Sequence, residues 1–143
     1  MSLAQCNCGQ LTIECEGPPA FVAQCHCKLC QRRTGSVFAV NAGFLNTKVQ
    51  ARGRYNTYSR KGDSGRLVEF RFCPDCGASV YWSGEMRPDM TVVGVGSFND
   101  PTFPMPERAV WAEARHPWVS LPDQIPVFPR GAGHAAHAPK GNN

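Results

Sequence analysis

Leu11, Ile13 and Cys15 alternate with Thr12, Glu14 and Glu16, a period of two that predicts a strand with one buried face. Gly17-Pro18-Pro19 ends it, because proline has no N–H for a ladder. A short helical turn is expected over 28–34, closed by Gly35, and a second strand over 36–42 with Val37, Phe38 and Val40. Leu67 to Phe72 alternates again, Val68, Phe70 and Phe72 on one face and Glu69 and Arg71 on the other. Residues 78–82 run back out as a strand, and the β-branched run from Met90 to Val95 predicts a buried one. The polar stretch from Thr47 to Ser59 predicts a hairpin around Gly53. Glu107 to Arg115, with Val110 and Trp111, fits a last strand or a helix.

The fold class expected is therefore mainly β, small packed antiparallel sheets. Fourteen glycines and twelve prolines in 143 residues support it, since they imply many turns and short strands. One domain is expected over 1–130. Residues 131–143 carry no core-forming side chain and are expected to be a disordered tail. The net charge of +4 is mild and demands no nucleic acid. No run approaches the roughly 20 apolar residues that span a bilayer. The N-terminus lacks the basic start and apolar run of a signal peptide. A cytoplasmic, reducing setting is expected, in which eight cysteines are thiols or metal ligands before they are disulfides.

Seven of those cysteines cluster as Cys6-x-Cys8, Cys25-x-Cys27-x-x-Cys30 and Cys73-x-x-Cys76. A tetrahedral zinc needs thiolates converging at about 2.3 Å, which short spacing in tight turns allows. Cys73-Pro74-Asp75-Cys76-Gly77 is a zinc-knuckle signature, the proline setting the turn and Gly77 permitting a positive φ. A redox pair would sit at a helix start, whereas this one leads into a strand. A closed structural site takes four ligands, so the knuckle needs a second pair. Taking Cys6 and Cys8 leaves Cys25, Cys27 and Cys30 as three ligands with an open position, the pattern of a catalytic zinc. Spacing leaves the swapped pairing open, and also Cys15 as a fourth ligand, although Cys15 shares a strand face with Leu11 and Ile13 and reads as a core thiol.

Cys6-Asn7-Cys8-Gly9, Cys25-His26-Cys27-Lys28-Leu29-Cys30-Gln31 through Thr34-Gly35-Ser36, and Phe72-Cys73-Pro74-Asp75-Cys76-Gly77 resemble the glutathione-dependent formaldehyde-activating enzyme (GFA) family. Gly96 to Pro101 and Pro117-Trp118 resemble its C-terminal half, less specifically. The resemblance implies a β-tent fold with two zinc ions per chain: a structural one on Cys6, Cys8, Cys73 and Cys76, and a catalytic one on Cys25, Cys27 and Cys30. It implies carbon–sulfur lyase chemistry, the joining of glutathione and formaldehyde into S-hydroxymethylglutathione, with a glutathione-like thiol as the small-molecule partner. The family name carries the site further than the substrate.

Zinc on three thiolates carries a net charge of −1 and has room for one more soft ligand, and coordination there deprotonates a thiol. Nearby positive charge is then needed. Lys28, Arg32 and Arg33 lie close in sequence, and an arginine fork also suits a glutathione carboxylate. Arg32, Arg33 and His116 are the substrate-binding candidates. His26, between two candidate ligands, is expected to be exposed, with a donor or proton-carrier role as the alternative. The rival readings are a non-catalytic zinc-binding interaction module and a nucleic-acid-binding zinc protein. The second has no recognition-helix pattern to support it.

Overall fold

The computed structural model describes residues 1–62 and 64–132. The expected tail lies outside the described residues from position 133 onward. The chain forms two compact units, Met1–Ala20 with Ala42–Phe103, and Phe21–Asn41 with the chain from Pro104 onward. It is mainly β, with ten strands and one α-helix among the described residues. Among the described residues no helix is long and apolar enough to cross a membrane.

In the first unit, β1 (Ser2–Gln5) and β2 (Thr12–Cys15) form an antiparallel hairpin. Ile13 and Cys15 are fully buried on the predicted inward face, and Leu11 beside them is buried too. Burial pushes the Cys15 thiol up to about 11, as for a core thiol. The β1–β2 turn carries Cys6 and Cys8, and it is closed by Cys6 N–H to Leu11 O at 3.0 Å and Gly9 N–H to Cys6 O at 3.1 Å.

In the second unit β3 (Phe21–Cys25) leads into the α-helix α1 (Lys28–Thr34), which ends at Gly35 in the left-handed region with φ 71°. Strand β4 (Ala39–Leu45) carries the chain from this unit into the first. It starts three residues later than the hydropathy of Val37 and Phe38 suggests. The Phe38 ring instead stands 5.5 Å from that of His26.

Strand β5 (Val49–Arg52) pairs with β2, whereas β6 (Asn56–Lys61) pairs with β7 (Leu67–Phe72), so the expected hairpin around Gly53 does not form. The reason is local: Gln10 grips the turn, its Nε2 donating to Arg54 O at 2.7 Å and its Oε1 accepting from Arg54 N–H at 2.9 Å. Gly53 has φ 100°, and a Cβ there would lie 2.1 Å from Gln10 O. Antiparallel β7, β8 (Ser79–Gly84) and β9 (Arg87–Gly94) continue the ladder from β6, and the β7–β8 turn carries Cys73 and Cys76. Phe70 and Trp82 pack at 5.4 Å between centroids, and Val80 of β8 and Val93 of β9 are fully buried.

The segment read as strand or helix is both. β10 (Arg108–Val110) pairs with β3, and a 3-10 turn follows at Ala112–Ala114. That pairing is parallel, Val110 beside Cys25, which departs from the all-antiparallel expectation. Ala109, Leu121, Ile125 and Val127 form the core under it.

Candidate metal centres

The two turns of the first unit bring Cys6, Cys8, Cys73 and Cys76 together, with all four sulfurs within 4.8 Å of one another. Cys6 and Cys8 Sγ are 3.6 Å apart, as are Cys8 and Cys73 Sγ. Sulfurs at the corners of a tetrahedron with zinc bonds of about 2.3 Å stand ~3.8 Å apart, and a disulfide would bring them to about 2 Å. The set therefore fits a metal ion.

The donors around it also suit thiolates. Leu11 N–H points at Cys6 Sγ at 3.3 Å, and Cys73 Sγ takes Gln10 Nε2 at 3.0 Å and Asp75 N–H at 3.4 Å. Burial alone would raise the Cys73 thiol, yet the Gln10 amide and the backbone N–H groups of Cys76 and Asp75 bring it down to about 6. Asp75 is paired with Arg54, so the knuckle, the Gln10 grip and the Gly53 turn are one connected network.

The second unit assembles Cys25, Cys27 and Cys30, whose sulfurs again lie within 4.8 Å of one another. Strand β3 ends at Cys25. Cys27 is the N-cap of α1, its sulfur accepting Cys30 N–H at 3.2 Å where a serine or aspartate oxygen would usually sit. Hydrogen bonds from Cys25 and Cys30, with backbone N–H groups behind them, pull Cys27 down to about 2. Its bonds to Cys27 and Cys30, and then burial, push Cys25 up. A metal ion held by the trio would displace the thiol protons. Among the described residues the group stops at three, and Cys15 belongs to neither group. The three cysteines are only 7%, 8% and 8% exposed, with Leu29, Val110 and Trp111 packed against the cluster they form with Ala39.

Trp111 has φ 58° and ψ 35°. The left-handed region costs an L-residue about 1–2 kcal/mol, and only Asn99 joins Trp111 there among the described non-glycine residues.

The charged candidates separate. Arg33 is half-buried, donates to Asn41 Oδ1 at 3.5 Å, and its charge acts on Cys30. Arg32 and Lys28 are exposed. His116 Nε2 lies 3.0 Å from Gln31 Oε1, and its ring meets Trp118 edge-on at 6.1 Å. Against expectation His26 is fully buried, with neither ring nitrogen hydrogen-bonded. Chain direction explains it: His26 N–H is tied to Val110 O at 3.1 Å and its carbonyl to Gln31 Nε2 at 2.9 Å, which hold the ring inside. Burial, then the charge of Arg115, lowers its pKa to about 4. Nothing in cysteine spacing marks Gln10 or Trp111, and Gln31 enters the sequence reading only as a member of the Cys30-Gln31 motif.

Fold and site together define a small mainly β protein with two thiol-rich centres, each able to hold a metal ion. The model of the family described as glutathione-dependent formaldehyde-activating enzyme matches residues 1–114, and the chain belongs to that family. Three solved chains match in structure. One is a crystal structure of a Rhodobacter sphaeroides protein, 24% identical, covering 69% of this chain and 91% of that one with a TM-score of 0.55. At that identity the likeness speaks for the fold. No curated protein matches the chain.

Proposed function

We infer that the protein is a zinc-dependent enzyme of carbon–sulfur chemistry that joins a glutathione-like thiol to a small aldehyde, or separates them. The observation that carries this is the contrast between a four-sulfur set and a three-sulfur set in one chain of this family. Cys6, Cys8, Cys73 and Cys76 hold a structural ion, and Cys25, Cys27 and Cys30 hold the one that serves the reaction. Zinc on three thiolates supplies one open soft position, at which a substrate thiol gives up its proton.

The chain's own groups do the rest. Arg33, whose charge acts on Cys30, offsets the negative charge that a fourth sulfur adds. In this reading Arg32, exposed one residue away, takes a substrate carboxylate, and His116 the substrate's polar end. In the joining direction a C–S bond forms and the carbonyl oxygen takes up the proton. A cytoplasmic, reducing setting would keep these cysteines available as metal ligands.

One observation favours a second reading, a non-catalytic zinc module: the three cysteines are nearly buried. Zinc content on anaerobically purified protein separates the two. Two ions per chain, falling to one in Cys27→Ser with the fold retained, together with a cobalt-substituted spectrum that shifts on adding glutathione, support the enzyme. Direct appearance of S-hydroxymethylglutathione by NMR completes the case. Two ions whose spectra ignore glutathione favour the module.

A further inference from the structure

A three-cysteine centre open to substrate has to be reached, yet these cysteines are nearly buried and three apolar side chains pack against them. Of these, Leu29 lies on α1 and Val110 in β10, both in ordinary backbone. Trp111 is the exception. It is half-buried and packs against the cluster that the three cysteines form with Ala39.

A bulky aromatic residue persists in the left-handed region only where its surroundings over-determine it. They do so here. Trp111 N–H donates to Arg130 O at 2.9 Å and its carbonyl accepts Ala114 N–H at 3.0 Å, while Ala112 and Glu113 N–H donate to Phe128 O and Pro129 O at 3.0 and 3.2 Å. Glycine or asparagine would relieve the strain at this position, as Asn99 illustrates elsewhere. A tryptophan is held there instead, packed against the cysteine cluster just where the chain enters the 3-10 turn.

Resting on the thiol reading above, we propose that Trp111 is a specificity-determining residue, the wall of the open position at Cys25, Cys27 and Cys30, which selects a thiol over oxygen ligands. The chemistry is that of the indole. Water, hydroxide and carboxylates at a metal need hydrogen-bond partners around them, and an indole face offers none. A sulfur needs none and gains contact with the ring. The wall thus keeps the position free of water without any charged group.

The test uses the full chain loaded with cobalt and titrated separately with glutathione and with acetate, in the wild type, Trp111→Phe and Trp111→Gly. The preference for glutathione over acetate, read from the cobalt absorption, is expected to fall roughly tenfold in Trp111→Gly and to change little in Trp111→Phe. Tryptophan emission gives a second readout on zinc-loaded protein: glutathione shifts it in the wild type, and Trp111→Phe diminishes the shift while zinc content is unchanged. A wild-type cobalt spectrum that ignores glutathione sinks the thiol reading and this assignment with it. A wild type that responds, paired with an unchanged preference in Trp111→Gly or an undiminished emission shift in Trp111→Phe, overturns the role of Trp111 alone.

Discussion

Gln31 Oε1 accepts from His116 Nε2 at 3.0 Å, and the rest of the Gln31 amide fixes which way that bond runs. Its Nε2 donates to two carbonyls, His26 O at 2.9 Å and Ala114 O at 3.3 Å, so the oxygen must face His116. The bond therefore needs a proton on Nε2 of His116. Gln31→Leu removes three hydrogen bonds and is expected to cost about 1–3 kcal/mol in stability. Nitrogen-15 spectra of His116 check the finer point. The wild type should show an Nε2–H tautomer, and Gln31→Leu a mixture; an unchanged tautomer would show that Gln31 does not set it.

Gly53 is the second position where one atom decides. With φ 100° and Gln10 O only 2.1 Å from any added Cβ, Gly53→Ala must move backbone on one side or the other. The expected loss exceeds about 1 kcal/mol, since alanine is both strained and obstructed. The damage should reach the first metal centre, because Gln10 also donates to Cys73 Sγ at 3.0 Å. Zinc affinity of the four-cysteine site, measured by competition with a chromogenic chelator, should weaken in Gly53→Ala. An unaltered affinity would mean that the grip of Gln10 does not support the site.

Sequence pattern revealed those elements whose signals are local. β2 and β7 alternate because one face of each is more deeply buried, and α1 announces itself through Gly35. β3 was invisible to the same test: in Phe21–Cys25 four consecutive residues are buried, Gln24 among them, so no alternation exists. Its parallel partner β10 is three residues long, too short for a periodic signal. At the site the cysteines were legible because turn-borne ligands must be close in sequence. Gln31 and Trp111 were not, since their roles follow from contacts with chain about 80 residues away in sequence or from a backbone twist that tryptophan does not advertise.

Asp100 accepts from Thr102 N–H at 2.9 Å and from Thr102 O–H at 2.7 Å, and these bonds hold its carboxyl below the usual range. The folded pKa lies under the unfolded one, so the stabilisation is present above roughly pH 4 and fades as pH falls through the folded value. Asp100→Asn should remove this part of the acid dependence. Urea midpoints at about pH 7 and about pH 3 would then differ less in the variant than in the wild type, and an equal difference would refute the assignment.

His26 is a buried imidazole with two unsatisfied nitrogens beside the Phe38 ring. A buried polar group without partners costs about 1–3 kcal/mol. His26→Leu should therefore leave the fold at least as stable as before, as thermal unfolding of the zinc-loaded protein would show. A loss of more than about 1 kcal/mol would reveal a partner for the ring, such as a trapped water.

The two centres should differ in what they contribute to stability. Cys8 and Cys73 are 65 positions apart, so an ion on the first centre closes a long loop. Cys25 and Cys30 are five apart, and an ion there constrains almost nothing that α1 does not already hold. Loop-closure entropy grows as three-halves RT times the logarithm of length, which makes the first closure worth about 2 kcal/mol more. Cys73→Ser combined with Cys76→Ser is accordingly expected to lower the unfolding free energy by about 2 kcal/mol more than Cys30→Ser, in urea titrations of anaerobic, zinc-loaded protein. Cys30→Ser should abolish thiol binding at the second centre while sparing most of the stability. Equal losses in the two variants would show that the three-cysteine centre is as structural as the other and would count against its role as the reacting site.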